Sequence, residues 1–410
     1  MIFFDFEIQN YFKSNKYLIA IVNYSRKKSK ISKKQMQKDN LISHATFRRA
    51  EVTDFVGHSE LLNKLAFYFN IPIDYDMNLI NEINDYFNQF YTYLYFNQLD
   101  KMKEYYQKIE SKKSMMENSI LLSIYHFARV IYYISSPKRV EIDAISESLE
   151  QLELFREDLT DIFQFLLDQY TYYFYSLNHQ SENAIKYYDK VYTESKKFPR
   201  HIPLVLYQMA LNHYFVNDYA NSIFYSIEAL EKLEADLNYS RALLCNLNIA
   251  ICFERLDNTV KSKEIINKIY LHMVVNDNPR TRYLADLTLA NCYVTEKNYE
   301  LAIEKFTNLE STRQVKGENS LMIIYCYYKL GKEEELKKLA SFLHKERENK
   351  NFFYGYDDLV ILFEELLSRN KKSIFNKFLI AQKSFPAYSD SKIVDLVFKE
   401  LKARKIIQKS

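Results

Sequence analysis

NDYANSIFYSIEAL (217–230) returns in pattern as DNTVKSKEIINKIY (257–270) and again as KNYELAIEKFTNLE (297–310), two successive steps of forty residues. Each segment sets Tyr219, Thr259 or Tyr299 three residues ahead of a small residue, Ser222, Ser262 or Ala302. Four residues further on comes Ser226, Ile266 or Phe306, then Ala229, Ile269 or Leu309. That spacing puts small and apolar side chains on one stripe of a helix, and the small residue lets a second helix approach closely. The second helix lies just upstream. LVLYQMALNHYF (204–215), LLCNLNIAICFERL (243–256) and LADLTLANCYVTE (284–296) carry Ala210, Ala250 and Ala290, again forty apart. A period in this range, one helical hairpin per period, is the mark of a repeat array.

The pattern continues upstream in SENAIKYYDKVY with Ala184 and in NQLDKMKEYYQKIE with Met102, and downstream in IIYCYYKLGKEEELKKLASF with Gly331 in the turn. Six to eight helix pairs are expected between about Asn81 and the end, with fainter pairs around Ile120 to Phe155 and Asp357 to Phe385. The spacing is that of a tetratricopeptide-like (TPR-like) unit. One such pair cannot cover its own apolar faces, so pairs stack, and the expected fold is an all-α, right-handed TPR-like solenoid whose concave side is lined by the first helix of each pair. A concave helical face suits an extended peptide. Carboxamides suit it best, because they donate and accept together and so grip backbone without reading side chains. Gln208, Asn212, Asn248 and Asn291, with Glu254 and Arg255 nearby, are the expected peptide-binding residues. The competing reading of each is a surface residue or a bond within its own repeat.

Composition narrows the chemistry. The chain has 410 residues and only four glycines, Gly57, Gly317, Gly331 and Gly355, too few and too scattered for a phosphate-cradling loop or a nucleophile elbow. Cys245, Cys252, Cys292 and Cys326 form no CxxC pair, and the eight histidines show no HExxH spacing, so neither a metal nor another cofactor is expected. The thiols read as buried packing groups. No run of about 18 uncharged apolar residues exists to span a bilayer, and MIFFDFEIQNYF carries Asp5 and Glu7 without a basic leader. A cytoplasmic protein is the expectation. The net charge of +3 hides a local concentration: from Tyr11 to Ala50, eight Lys and three Arg face one acid, Asp39. A small basic module that meets a polyanion is expected there, followed by a larger body with another task.

Within that module the run ISKKQMQKDNLISHATFRRAEVTDFVGHSELLNKLAFYFNI (31–71) has a definite order. Lys16 to Lys27 makes a first helix; Ser32 can cap a helix from Lys33 to about Asn40, and Ser43 a helix from His44 to about Val52. His58-Ser59 then opens an amphipathic helix with Leu61, Leu62, Leu65, Ala66 and Phe69 on its buried face, closing at Pro72. Ile31-Ser32, Met36, Ile42-Ser43, Thr46-Phe47 and Glu51 resemble the helix-turn-helix of the lambda-repressor or Xre type. The resemblance implies a DNA-binding domain over 1–75, with Ser43, His44, Ala45, Thr46 and Arg48 towards base edges and Lys33, Lys34, Gln35 and Arg49 towards phosphates or neighbouring bases. Leu41, Gln37 and Thr53 depart from it, standing where Gly, a small Ala and Gly are usual.

An Xre-like head followed by TPR-like repeats over 76–410 resembles the RRNPP family of Gram-positive bacteria and their mobile elements. The resemblance implies a cytoplasmic receptor for a short signalling peptide that acts as a homodimeric transcriptional regulator on double-stranded DNA, not as an enzyme. Peptide in the groove would then shift the distance between two DNA-binding heads. The alternative within the family is the Rap-like arrangement, in which peptide regulates a protein–protein contact without DNA. A general TPR scaffold is a third reading, but it usually clamps partners with Lys and Arg, which these Tyr-, Asn- and Leu-rich first helices lack.

Overall fold

The turns carry the repeat most plainly. Asn217, Asp257 and Lys297, forty apart, all have left-handed backbone, with φ of 61°, 58° and 61°. After each, a backbone N–H returns to the carbonyl five residues earlier: Asp218 to His213 at 2.8 Å, Asn258 to Phe253 at 2.8 Å and Asn298 to Tyr293 at 2.9 Å. This is the closure that ends a helix with one residue in the left-handed region. Gly331 (φ 69°) does the same with Lys332 bonded to Tyr327 at 3.0 Å. Elsewhere an L-residue takes the strain at a cost of about 1 kcal/mol.

The computed structural model describes residues 3–4, 16–39, 42–43, 45–47, 59–71, 76–135, 141–178, 180–274, 278–311, 318–348, 356–368, 370–383 and 392–407. Among them every regular element is helical and there is no strand. In chain order the α-helices are α1 (Lys16–Lys28), α2 (Lys33–Lys38), α3 (Ser59–Tyr68), α4 (Met77–Tyr95), α5 (Leu99–Ser111), α6 (Lys113–Met116), α7 (Leu121–Ser135), α8 (Ile142–Phe155), α9 (Asp161–Leu177) and α10 (Ser181–Ser195). They continue as α11 (Ile202–Phe215), α12 (Tyr219–Ala235), α13 (Tyr239–Arg255), α14 (Thr259–Met273), α15 (Pro279–Thr295), α16 (Tyr299–Ser311), α17 (Glu318–Leu330), α18 (Glu333–Glu348), α19 (Tyr356–Leu367), α20 (Lys371–Ala381) and α21 (Lys392–Ala403). The chain forms two compact units, Met1–Asn212 with Glu228–Ala242, and His213–Ile227 with Leu243–Ser410.

In the second unit Ala250 and Ala290 are buried on the first helices, and Ser222, Ser262 and Ala302 on the second. The Ser262 hydroxyl donates to the Ala250 carbonyl at 2.8 Å, a contact open only to small residues at a close helix approach. From Ala290 onward one continuous apolar cluster joins Phe306, Ile324, Leu336, Phe363 and Ile374 to Ile393, Val397 and Leu401 of α21.

In the first unit α1 packs on α8. The Tyr24 ring stacks on Phe155 with centroids 4.0 Å apart, its hydroxyl donates to Gln151 at 2.8 Å, and Lys27 donates to the Leu154 carbonyl and pairs with Glu157, both at 3.1 Å. Part of the basic segment's charge is thus turned towards the helix pairs. The end of α4 is tied to the turn at 236–241. Tyr95 donates to Asp236, Asn238 donates to the Tyr95 carbonyl at 2.6 Å, and Arg241 donates to the carbonyls of Tyr95 (3.0 Å) and Leu94.

That same turn holds Leu237 at φ 57° with its side chain 67% exposed, so it bears backbone strain without apolar compensation. Leu237→Gly is expected to stabilise the protein by about 0.5–1 kcal/mol, the relief of strain exceeding the added freedom of the unfolded chain. The urea midpoint should rise, and a midpoint that falls would count against strain at this turn.

Candidate functional site

The first helix of each pair presents a polar residue at one register position: Gln169 on α9, Gln208 on α11, Asn248 on α13 and Thr288 on α15, all buried. In the first unit the Gln169 Nε2 donates to Gln208 Oε1 at 2.9 Å. Among the described residues no donor reaches the buried Gln169 Oε1, nor the Oδ1 of Asn212 one turn beyond Gln208. Gln169 was not among the residues expected from sequence. Its step to Gln208 is thirty-nine residues, not forty, and a one-residue offset hides it from a strict search.

In the second unit Asn248 is turned to its own neighbours: Nδ2 donates to the hydroxyls of Ser222 (2.9 Å) and Ser226 (2.8 Å) on α12. These are two of the small positions that mark the repeat, so the carboxamide stitches the hairpins together. Cys252 and Cys292 donate in the same way to Ser222 (3.3 Å) and Ser262 (3.4 Å). Burial pushes both thiols up to about 11, and Cys326 up to about 12, where they stay protonated and unreactive.

Glu254, Arg255 and Asn291 come together in this unit, joined by residues that sequence reading did not single out. Lys392, at the start of α21, pairs with Glu254, donates to Thr295 Oγ1 at 2.6 Å and lies 3.4 Å from the Asn291 carbonyl. Both members of the pair are almost wholly buried, Glu254 at 1% and Lys392 at 6% exposure. Arg255 lies 3.8 Å from Glu254 and 3.6 Å from Asp395, one turn along α21. The Asn291 Oδ1 is buried with no donor in reach among the described residues. The signal available in sequence was the amphipathic stretch KIVDLVFKELKA (392–403), which sets Lys392 and Asp395 on one face.

Of the residues expected to meet DNA, His44, Arg48 and Arg49 lie outside the described residues, as does the Leu41 turn. The Ser32 hydroxyl accepts the Gln35 N–H at 3.1 Å and so caps α2, and Ser43 accepts the Thr46 N–H at 3.1 Å. The two capped turns adjoin, with the Lys33 ammonium 5.2 Å from the centre of the Phe47 ring and Met36, Ile42 and Phe47 buried beneath. Lys34, Gln35, Ser43 and Ala45 are exposed, Lys33 and Thr46 half-buried. Gln37 is also exposed, so its bulk meets no close helix contact.

The fold is therefore that of an all-α TPR-like repeat protein whose first helices carry buried carboxamides. The sequence matches no protein-family model and no curated protein. Solved structures do share its fold. A Rap protein complexed with Competence and Sporulation Factor is 17% identical with a TM-score of 0.58, over 79% of this chain and 98% of that one. NprR in complex with its cognate peptide NprX is 14% identical (TM-score 0.58, 80% and 99% covered), and the apo form of the quorum sensor NprR from B. thuringiensis 15% (0.56, 80% and 99%). The all-α TPR-like fold expected from the repeat register is thus met. Among the described residues no helix is long and apolar enough to cross a membrane, and no group of three His, Cys, Asp or Glu could hold a metal ion.

Proposed function

We propose that this chain is a cytoplasmic RRNPP-type receptor for a short signalling peptide, a regulator and not an enzyme. Buried carboxamide oxygens with no donor among the described residues, Asn212 in one unit and Asn291 in the other, support the reading most directly. An unmet buried acceptor costs about 1–3 kcal/mol, and a peptide N–H is the group that would relieve it. The NprR structure of the same fold is in complex with its cognate peptide, and the Rap structure is complexed with Competence and Sporulation Factor. Capture of peptides from culture medium on the immobilised chain, followed by titration of the species retained, tests this. Asn212→Ala and Asn291→Ala should each weaken affinity by about tenfold. Unchanged affinity in both would remove these residues from the site.

The output we propose is binding of double-stranded DNA by a homodimer, through the exposed face of Lys34, Gln35, Ser43 and Ala45 with Lys33, Thr46, His44, Arg48 and Arg49. A gel-shift titration on the gene's own upstream region tests it, with Lys34→Ala expected to weaken binding and flatten its salt dependence. The second reading, a Rap-like regulator that meets a protein partner, is favoured by one observation. Tyr24 and Lys27 of α1 are committed to α8, as if the amino-terminal helices belonged to the repeat body. Absence of any sequence-specific shift would select it.

A further inference from the structure

Phe3 and Phe4 lie buried in the first unit, far in sequence from everything they touch. Phe4 packs against Phe87 (centroids 5.0 Å), Tyr91 (5.1 Å) and Phe163 (5.5 Å, rings within 5° of parallel). Phe3 packs against Tyr91 (4.9 Å), Tyr95 (5.1 Å) and His201 (5.5 Å). The backbone of Phe4 is held by one side chain: its N–H donates to Asn88 Oδ1 at 3.1 Å, and its carbonyl accepts from Asn88 Nδ2 at 3.4 Å. A carboxamide that pairs with both backbone groups of one residue, flanked by two aromatic pockets, is how a helical groove holds an extended peptide. The buried backbone of Phe4 needs a donor and an acceptor in any case, and here a single side chain supplies both.

The pocket also holds a buried polar ring. His201 Nδ1 is engaged by the Tyr91 hydroxyl at 3.0 Å, while its Nε2 is buried with no partner among the described residues. Asn88, Tyr91 and Tyr95 all sit on α4, whose end is the one tied to Asp236, Asn238 and Arg241. Occupancy of the pocket thus bears on the helix that fixes that turn.

We propose that the pocket of Phe87, Asn88, Tyr91, Tyr95, Phe163 and His201 is a receptor site for an extended segment with two consecutive aromatic side chains, and that Phe3-Phe4 is its resident, displaceable occupant. It is distinct from the carboxamide faces of the proposed peptide groove and does not depend on them.

The test uses the full chain with Phe3→Ala and Phe4→Ala and a fluorescein-labelled peptide of sequence MIFFDF. Saturable binding by anisotropy is expected in the double variant and at least about tenfold weaker binding in the wild type, where the tethered dipeptide competes at high effective concentration. Adding Asn88→Ala to the double variant should weaken it again, and the peptide MIAADF, in which the two adjacent phenylalanines are replaced by alanine, should not bind. If the double variant fails to fold, peptide present during refolding should restore its helical circular dichroism. A folded variant that ignores the peptide, equal binding to both proteins, or no rescue of an unfolded variant would each overturn the proposal and leave the dipeptide as fixed core.

Discussion

Lys392→Met should destabilise the second unit by about 3–5 kcal/mol, because it strands a buried anion. Glu254 has almost no exposed surface, and its charge is met by the Lys392 ammonium, with Arg255 farther off at 3.8 Å. Methionine nearly matches the length of the lysine stem, so the loss isolates charge from volume. Glu254→Gln should cost less, since Lys392 keeps Thr295 and the Asn291 carbonyl as acceptors. The double variant Glu254→Gln, Lys392→Met should recover most of the stability, as buried ion pairs replaced whole often do. Urea unfolding followed by circular dichroism decides it. A loss below about 1 kcal/mol in Lys392→Met, or a double variant no better than the single one, would show that the pair does not anchor α21. The same anchor governs the peptide reading, because it holds α21 against the backbone of Asn291.

What the residues disclosed in advance follows from how local each feature is. The hairpins were legible because Ser222, Ser262 and Ala302 recur at the same forty-residue step as Ala210, Ala250 and Ala290, and small side chains in that pattern are what a close helix crossing demands. The same locality accounts for Asn248, whose partners Ser222 and Ser226 stand 26 and 22 residues away, on the preceding helix of the array. A carboxamide placed opposite two hydroxyls bonds to them, here across the seam between one hairpin and the next and not within its own repeat. Glu254 with Lys392 and Phe4 with Asn88 are another matter. They are 138 and 84 residues apart, and no period links them, so only the folded path of the chain brings them together. In MIFFDFEIQNYF the phenylalanines were visible as apolar, but nothing in the sequence says which helix receives them. The basic module stands between these cases. Its caps at Ser32 and Ser43 were legible from residue type, while the pairing of Lys27 with Glu157 was not.

Between pH 7.5 and 5 the first unit should lose about 2 kcal/mol of stability for each of two buried histidines. Burial, reinforced by Arg129 and then Lys113, holds His126 down to about 3, and burial, reinforced by Arg200, holds His201 down to about 3. Both rings are neutral in the folded protein, whereas the unfolded chain takes up its protons near pH 6.5. The unfolded state therefore binds more protons across the whole interval from about 6.5 to 3. Stability is complete above the upper end and falls steadily as the solution is acidified towards the lower, the reverse of a histidine that gains an anionic partner. His126→Asn and His201→Gln keep a polar group for Ser148 and Tyr91, which now lie 3.3 and 3.0 Å from the ring nitrogens. Each substitution should remove about half of the histidine-dependent slope of the urea midpoint against pH, and both together nearly all of it. Carboxylates that titrate below pH 5 act equally in every variant, so the difference between slopes isolates the imidazoles. Identical slopes in the wild type and the double variant would mean that the rings gain water or a counter-charge on protonation. If the slopes differ as expected, acid should also loosen the pocket that holds Phe3-Phe4, because His201 forms one wall of it.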